Sequence, residues 1–478
     1  MALIVMKFGG TSVGSPDRVR QAAQIVADCS REHRVAVVVS AFSGVTDAII
    51  ETVNVALTGD MPSAQLGKLE DRHHSAIAEL FPASKRAAVE KEIDAVLRRF
   101  REFCSALTLL RSATPQVMDV ALAVGERISA PIVAAYLHEL GVQGEYVDSA
   151  RVLITDDKFG NASPDMDATR HHSQQVLLPM LGAARVPVVT GYAGVTANGR
   201  PTTLGRGGSD FSATILGAAI GADEIWIWTD VDGVLNADPR VCPRASTLPE
   251  ITYAEAIELS YYGAKVIHPK AIRPAMDLGI PVWIKNSFAP RVPGTKIASS
   301  VHPSHSPVKA VSVVTKASLV TLSTRQNHDS AEIFGRLFLR LGHEHVDVLF
   351  STQSSSENAL GLVLRQENTD HVVQIIKRLF RNELKHGVLN PISVQDDVAV
   401  VAVLGQSMKG YYGVIGRLFS AVGRRKVSVI AVAQGASEIN ICFAVPAKHA
   451  QDTVRAVHDE FFAPALAYAM VQGVESQG

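Results

Sequence analysis

Residues 1–295 alternate between short, continuously apolar runs and longer segments in which apolar residues recur with helical spacing. Continuous apolar runs are typical of parallel strands that are covered on both faces. The runs that predict buried strands are Leu3–Met6, Arg34–Ala41, Val186–Thr190, Glu224–Thr229 and Pro281–Asn286. The alternation therefore predicts an α/β fold with an open, mostly parallel sheet between helical layers.

The hydrophobic pattern repeats itself beyond residues 290–308, a proline- and serine-rich stretch interpreted as a linker. Gly-Arg-Leu-Phe at Gly335–Phe338 recurs 81 positions later at Gly416–Phe419, without a gap, which indicates an internal duplication. Each copy has the pattern strand, helix, strand, strand, helix, typical of a βαββαβ module that binds a small ligand. Two modules that merely dimerise are the alternative. The predicted domains are 1–295, 317–395 and 396–478.

The composition narrows the class of protein. A chain of 478 residues with 47% hydrophobic residues is long enough for roughly three domains. A net charge of −1 argues against nucleic acid or an anionic membrane as a partner. Four scattered cysteines without CxxC spacing predict reduced thiols and no metal site. Since the chain shows no leader and no apolar run near the roughly 20 residues that span a bilayer, we expect a cytoplasmic protein.

The first strand ends in a candidate anion site. Lys7 leaves the strand and is followed by Gly9 and Gly10, before Ser15-Pro16 caps the next helix. Glycines let backbone N–H groups approach an anion, and a lysine adds a charge beside them. An ordinary tight turn between strand and helix is the alternative interpretation.

Two later stretches carry further candidate chemistry. Thr203, Arg206, Ser209 and Asp210 lie in a glycine-rich loop just before a small-residue helix, which predicts a second anion site. Glu126 is predicted in the middle of one long apolar helix that begins after Thr114. This glutamate forms either an exposed pair with its neighbour Arg127 or a carboxylate aimed at a ligand ammonium.

Four motifs together resemble the aspartate kinases of the amino-acid-kinase superfamily. They are KFGGTSV at Lys7–Val13, TTLGRGGSD at Thr202–Asp210, WTDVDGV at Trp228–Val234 with DPR at Asp238–Arg240, and YGAKVIHP at Tyr262–Pro269. The chain contains no GxxxxGK[ST], HRD or DFG motif, so it resembles neither P-loop enzymes nor protein kinases. The resemblance implies an amino-acid-kinase-like sheet followed by two ACT modules, the second completed by a strand at about 309–315.

The resemblance also implies roles for individual residues. Lys7 contacts the transferring phosphoryl group and Asp210 orients Lys7, while backbone N–H groups of the glycine loops bind phosphate. The implied substrate-binding residues are Ser40, Thr46, Glu126, Thr203, Arg206 and Ser209. The implied nucleotide-binding residues are Lys7, Gly9, Gly10, Thr229, Asp230, Arg240 and Lys265. ATP and Mg²⁺ are the expected cosubstrate and ion, with Mg²⁺ held largely through phosphates and water rather than by a protein site.

The activity that the resemblance implies is ATP-dependent phosphorylation of the side-chain carboxylate of L-aspartate to 4-phospho-L-aspartate. This is the entry step of lysine, threonine and methionine synthesis, under feedback control by an end product. Another amino-acid kinase of the same fold and a catalytically inactive amino-acid sensor are the alternatives. Because the sequence ends at Gly478 without a GxGxxG motif, we expect no dehydrogenase activity.

The repeated modules predict the regulatory site. Gln353 and Gln434 occupy equivalent positions of the repeat, each after an apolar strand, and Asp347 lies near the start of the first of these strands. An amide can bind both the carboxylate and the ammonium of an amino acid. The local sequences resemble threonine-sensitive aspartate kinases, which makes threonine the first expected effector and lysine the second. The expected assembly is a homodimer through these modules, with a tetramer as the alternative.

Overall fold

The computed structural model describes residues 1–264, 267–302, 306–325, 330–354, 356 and 358–462. Its strands are β1 Leu3–Phe8, β2 Arg34–Val39, β3 Gly144–Val147, β4 Ile154–Thr155, β5 Val186–Thr190, β6 Ala193–Thr196, β7 Pro201–Thr203, β8 Glu224–Thr229, β9 Glu250–Thr252, β10 Val282–Asn286, β11 Thr295–Ala298, β12 Ala310–Ser323, β13 Val348–Ser354, β14 Ala359–Arg365, β15 Ser393–Leu404, β16 Ala431–Gln434 and β17 Asn440–Pro446.

Its helices are α1 Gly10–Val13, α2 Pro16–Ser30, α3 Val45–Thr58, α4 Ser63–Leu80, α5 Ala83–Leu110, α6 Pro115–Leu122, α7 Val124–Glu139, α8 Met166–Gly182, α9 Gly208–Ile220, α10 Tyr253–Tyr261, α11 Pro269–Leu278, α12 Ser330–His343, α13 Thr369–Leu379, α14 Arg381–Lys385, α15 Val414–Arg424 and α16 Ala450–Phe462.

The described residues form two compact units. Unit 1 consists of 1–234, 249–253 and 266–301, and unit 2 consists of 235–248, 254–265 and the residues from 302 onward. Two segments of the region predicted as catalytic, 235–248 and 254–265, thus group with unit 2.

Unit 1 is built on an eight-stranded sheet with the order β3-β5-β2-β1-β8-β10-β11-β9. Every pair in it is parallel except β10 with β11. All six residues of β1 are buried, as expected for a central strand covered on both faces. Because Phe8 pairs with Val39 of β2 and with Trp228 of β8, the loops that follow these three strands meet at one edge of the sheet.

The region interpreted as a linker contains a strand. β11 lies within 290–308, pairs with β10 and extends the sheet to β9, so the sheet continues beyond β10, the last strand that the pattern predicted in this region. Ile297 is fully buried, which explains why this short segment joins the sheet despite its proline-rich flanks. The linker interpretation is wrong for these four residues.

The single long helix predicted after Thr114 is two helices. α6 ends at Leu122 and α7 begins at Val124, so Glu126 lies in the first turn of α7 rather than in the middle of a helix. The break accompanies a close approach, because a Cβ atom added at Gly125 would lie 2.6 Å from the Cβ atom of Ala41. Glycine is therefore needed where α7 meets the loop that follows β2.

The combined span of α6 and α7 has the length and composition of a membrane-spanning helix. Taken together, Pro115–Glu139 is long and apolar enough to cross a bilayer, and among the described residues it is alone in this, although the sequence suggested that no run of that length existed. Of its most apolar window, 72% is buried inside the fold. The burial identifies α6 and α7 as core helices of unit 1.

Unit 2 contains an antiparallel six-stranded sheet with the order β13-β14-β12-β15-β17-β16. The long central strands β12 and β15 serve both copies of the repeat. Ala310–Val314 pairs with β15 in the second copy, and Ala317–Ser323 pairs with β14 in the first. Leu337 and Leu418, equivalent residues of the repeat, are both fully buried in separate hydrophobic clusters.

Candidate active site

A cleft of about 580 Å³ lies in unit 1, where the loops after β1 and β2 meet the start of α9. Its lining includes eight of the predicted site residues, namely Lys7, Gly10, Ser40, Thr46, Glu126, Arg206, Ser209 and Asp210. The structure therefore brings together residues that are more than 200 positions apart in the sequence. Parallel strands make this convergence possible, because their carboxyl ends lie at the same edge of a sheet.

Lys7 and Asp210 form an ion pair in this cleft. The Lys7 Nζ atom lies 2.5 Å from Asp210 Oδ1, and the two side chains are only 11% and 20% exposed. Lys7 belongs to β1, and Asp210 lies in the first turn of α9. Two regular elements thus fix the direction of the ammonium, which supports the prediction that Asp210 orients Lys7.

The amide of Gly9 is already engaged within the fold, whereas the sequence predicted that it binds phosphate. Its amide already donates to the carbonyl of Trp228 at 3.2 Å, so this N–H group cannot donate to a phosphate without losing a backbone bond. A Cβ atom at this position would lie 3.3 Å from Lys7 Nζ. The glycine therefore leaves room for the lysine side chain. Gly10, in contrast, lines the cleft.

The second glycine loop opens α9. Gly207 caps this helix with a left-handed backbone, φ +71°, which favours glycine. At Gly208 a Cβ atom would lie 2.5 Å from the ring of Tyr192. Both glycines line the cleft beside the exposed Arg206. The amino end of a thirteen-residue helix carries a partial positive charge, so this corner of the cleft favours an anion.

Glu126 is 4% exposed, and its Oε2 atom has no hydrogen-bond partner among the described residues. Burial raises the pKa of this carboxyl group to about 7, against the opposing effects of a backbone hydrogen bond from Ala41 and the charge of Lys7. The alternative of an exposed pair with Arg127 is wrong, because the Arg127 guanidinium lies 2.9 Å from Asp148. An unpaired, buried carboxylate at the cleft wall suits a ligand ammonium.

Thr203 lies outside the residues that line the cleft, in contrast to its predicted role in binding substrate. It is fully buried, and its hydroxyl donates to Asp119 at 2.6 Å. Alternation along β7 turns this side chain toward α6 rather than toward the cleft. Its contribution to the site is therefore indirect.

The predicted nucleotide residues are dispersed. Thr229 and Asp230 lie at the carboxyl end of β8, outside the cleft lining. Arg240 belongs to unit 2, is exposed and pairs with Asp238 at 2.6 Å. Lys265 lies outside the described residues. The structure thus gathers the residues assigned to the substrate more completely than those assigned to the nucleotide.

The three predicted effector residues are exposed in unit 2. Asp347 immediately precedes β13, Gln353 lies in β13, and Gln434 ends β16. These two strands form opposite edges of the six-stranded sheet, yet their Cα atoms approach within 8 Å. The repeat therefore brings the strands that carry the two glutamines near each other.

Sequence reasoning missed three elements of the cleft. Tyr192 and Gly160 line it, and the buried carboxylate of Asp119 lies behind it. Tyr192 follows the apolar strand β5, so the rule that marked Ser40 after β2 could have found it. No sequence pattern marked Asp119, because its hydrogen-bond partners are 41 and 84 positions away in the chain.

The fold and the cleft define an α/β protein that can hold a small zwitterion and a phosphate group at the carboxyl edge of an open sheet. The sequence matches the amino acid kinase family over residues 2–286 and an ACT domain over residues 401–461. The chain belongs to the amino acid kinase family and, within it, to the aspartokinases.

Individual relatives agree with this assignment. The chain is 31% identical to the lysine-sensitive aspartokinase 3 of Escherichia coli over 96% of its own length and 99% of that protein. It is 30% identical to the bifunctional aspartokinase/homoserine dehydrogenase of Haemophilus influenzae, but it spans only 56% of that relative. The solved structure of E. coli aspartokinase III in complex with aspartate and ADP superposes with a TM-score of 0.80 at 29% identity, covering 96% of this chain and all of that one.

Proposed function

We propose that the protein transfers the γ-phosphoryl group of ATP to the side-chain carboxylate of L-aspartate. The proposal rests on the side chains that line one cleft. It combines the Lys7–Asp210 ion pair with the buried, unpaired carboxylate of Glu126 and the exposed guanidinium of Arg206. An amino acid with two carboxylates needs such a set, one group for its ammonium and one for its α-carboxylate, while the second carboxylate meets the phosphoryl group.

The chemistry requires positioning and charge neutralisation more than proton transfer. A carboxylate nucleophile with a pKa near 4 is already ionised at neutral pH, so no general base is needed. In this proposal Lys7 neutralises the phosphoryl group in transfer, and the amino end of α9 contributes its partial positive charge. Glu126 binds the substrate ammonium and Arg206 binds the α-carboxylate in a bidentate manner.

ATP is the proposed phosphoryl donor, supported by the solved relative that contains aspartate and ADP. The described residues include no cluster of three His, Cys, Asp or Glu side chains that could hold a metal ion. Mg²⁺ therefore fits as an ion that enters on the ATP phosphates and keeps much of its water. It would neutralise phosphate charge in the bound nucleotide.

The test is to trap the acyl phosphate with hydroxylamine in the presence of MgATP and a panel of amino acids. We expect hydroxamate with L-aspartate and little with L-glutamate or N-acetyl-L-glutamate. Product with glutamate but not with aspartate would assign the chain to another amino-acid kinase of this fold. Failure of every amino acid, with the protein still binding one of them, would identify a sensor.

A regulatory role of unit 2 is part of the proposal. An amino acid made downstream of 4-phospho-L-aspartate would bind near Gln353 and Gln434 and inhibit the kinase. Lysine is the first candidate, because the E. coli relative is named as lysine-sensitive, and threonine is the second. A cytoplasmic location and a homodimer formed through the ACT modules are proposed with it. Gel filtration with light scattering would test the assembly.

A further inference from the structure

Asp119 is a carboxylate that the proposed mechanism does not use. It lies on α6 and is 0% exposed. Its Oδ1 atom accepts from the Thr203 hydroxyl at 2.6 Å, and its Oδ2 atom accepts from the amides of Gly160 and Thr203 at 2.8 and 3.0 Å. No ion pair of Asp119 occurs within the part of the chain that the structure describes. Burial of a charge without a counter-ion is costly, so these three hydrogen bonds are what makes the position tenable.

The bonds of Asp119 join two loops of the cleft. Gly160 lines the cleft itself, and Thr203 ends β7 three residues before Arg206. The same loops touch again nearby, since a Cβ atom at Gly205 would lie 3.1 Å from the carbonyl oxygen of Gly160. Gly205 has a φ of +77°, so both its backbone and its surroundings favour glycine.

Lys270 of α11 reinforces this arrangement from the other side. Its ammonium donates to the side chain of Asn161 at 2.8 Å and to the carbonyl of Ala162 at 3.0 Å. The amide of Ala162 in turn donates to the carbonyl of Thr203 at 2.9 Å. The loop around Gly160 is therefore held to β7 by backbone and side-chain bonds together.

The network also reaches Tyr192 in the cleft wall. The carbonyl of Tyr192 accepts from the amide of Leu204, the residue after β7, at 2.9 Å. Tyr192 has a φ of +67°, an unfavourable conformation for a residue with a side chain. Such a conformation persists where the surroundings enforce it, and the bond from the Leu204 amide helps to hold the Tyr192 backbone in place.

We propose that Asp119 is a positioning residue of the cleft, which sets the place of the Arg206 loop and of Gly160 through Thr203. The inference rests on the proposed function only for the identity of the ligand. Asp119 touches no substrate in this assignment. Its hydrogen bonds, rather than its charge, are what the loops need, because both acceptor atoms are already satisfied by neutral donors.

The experiment compares three variants with wild type in steady-state kinetics. Asp119→Ala removes all three bonds and should raise the KM for aspartate at least tenfold, while the KM for ATP and kcat change less than threefold. Thr203→Val removes only the hydroxyl bond and should raise the aspartate KM about threefold to tenfold. Asp119→Asn should stay within threefold of wild type, since its carbonyl can accept both amides while its NH₂ group donates to the hydroxyl.

Asp165→Ala is the matched control. Asp165 also accepts a backbone amide, that of Ala168 at 3.0 Å, but it caps α8 and does not line the cleft. This control should lower the melting temperature without a change in the aspartate KM. An unchanged aspartate KM in Thr203→Val, or equal rises in both KM values, would overturn the proposal. Asp119→Asn behaving like Asp119→Ala would also overturn it, because charge would then be the cause.

Amide hydrogen exchange gives a readout that does not depend on activity. In Asp119→Ala, or in Thr203→Val if the alanine variant fails to fold, the amides of Gly160 and Leu204–Gly208 should exchange at least tenfold faster. The amides of α4 and α5 should be unaffected. If wild type fails to phosphorylate aspartate, the proposed function falls while this measurement still decides the role of Asp119. Unchanged amide exchange in the two loops would contradict the positioning role of Asp119.

Discussion

Lys7 is held for its task before any ligand arrives. Its position on β1 and the ion pair with Asp210 restrict a side chain that is otherwise among the most flexible in proteins. Burial of most of the side chain also limits the water that competes for its ammonium. A cation fixed in this way stabilises developing charge without reorganisation during the reaction.

Replacement of Lys7 by alanine should therefore lower kcat by about a hundredfold to a thousandfold. This is the range expected when one group that stabilises the transition state is lost. The melting temperature, measured by calorimetry, should show that the variant is folded. Lys91→Ala, a change at an exposed lysine of α5, is the control and should keep wild-type turnover. Activity of the Lys7 variant within tenfold of wild type would remove Lys7 from the mechanism.

In the proposed function, Glu126 should make aspartate binding depend on pH. Because the pKa of its carboxyl group is raised from 4.5 to about 7 by burial, the free protein carries this group largely protonated below pH 7. Only the ionised form can bind an ammonium with full charge. The KM for aspartate should therefore rise as the pH falls below about 7, approaching tenfold per pH unit.

Glu126→Gln supplies the control for this prediction. The amide does not titrate, so its aspartate KM should be high and nearly constant between about pH 5.5 and 8. The pH dependence of the free energy of unfolding provides a second test, because its direction can be predicted. Between pH 4.5 and about 7 the folded protein binds a proton that the unfolded chain has lost, so wild type should lose stability relative to the variant as the pH rises through this window. A pH-independent KM in wild type would contradict the assignment of Glu126.

At the scale of elements, the junction of α6 and α7 determines where Glu126 lies. A helix that continued unbroken from Pro115 would carry Gly125 in its interior, where glycine is unfavourable. The break at Ala123 instead lets the first turn of α7 pack directly against Ala41, next to the cleft. Gly125 thus lowers the helix propensity of α7 but allows α7 to approach Ala41 closely.

Gly125→Ala should therefore destabilise the protein by about 1–3 kcal/mol, the cost typical of overpacking a core. It should also raise the aspartate KM, because Glu126 moves with the helix. Gly67→Ala is the matched control, since Gly67 lies inside α4 with no atom within 4 Å of an added Cβ. That change should stabilise by about 0.5–1 kcal/mol. Urea denaturation measures both, and equal effects at the two positions would refute the packing argument.

The sequence allowed prediction of the elements whose cause is local. The strands β1, β2 and β8 were identified correctly because each is a short run of mostly apolar residues, most of which are buried. The break between α6 and α7 left no mark, since helical spacing of apolar residues continues through Ala123. The amide of Gly9 also eluded prediction, because its partner Trp228 lies on a strand 219 positions away in the chain. Features that depend on residues far away in the sequence can be identified only from the folded structure.

At the scale of the whole molecule, part of the region predicted as catalytic belongs to unit 2. Glu255 of α10 forms a buried ion pair with Lys309 at 3.1 Å and accepts the amide of Gln406 at 2.7 Å. Tyr262 donates from its hydroxyl to the carbonyl of Leu349 on β13 at 3.3 Å. Residues 254–264 therefore belong to unit 2 through specific bonds.

Inhibition by an amino acid should respond to unit 2 separately from turnover. An effector shifts the protein only by its differential affinity for active and inactive states, and a ~100-fold preference corresponds to about 2.7 kcal/mol. Gln353→Ala and Gln434→Ala should each keep kcat within twofold and weaken inhibition at least tenfold, because an exposed amide at a strand end is lost while the cleft is untouched.

Gln374→Ala, at an exposed glutamine of α13, is the control and should keep wild-type inhibition. The measurement is a titration of lysine, threonine and methionine, singly and in pairs, against all four proteins at fixed aspartate and ATP. Loss of inhibition in both β-strand variants with the α13 variant unchanged would locate the effector near the edge strands β13 and β16. No inhibition of wild type by any combination would leave the ACT repeat with an architectural role alone.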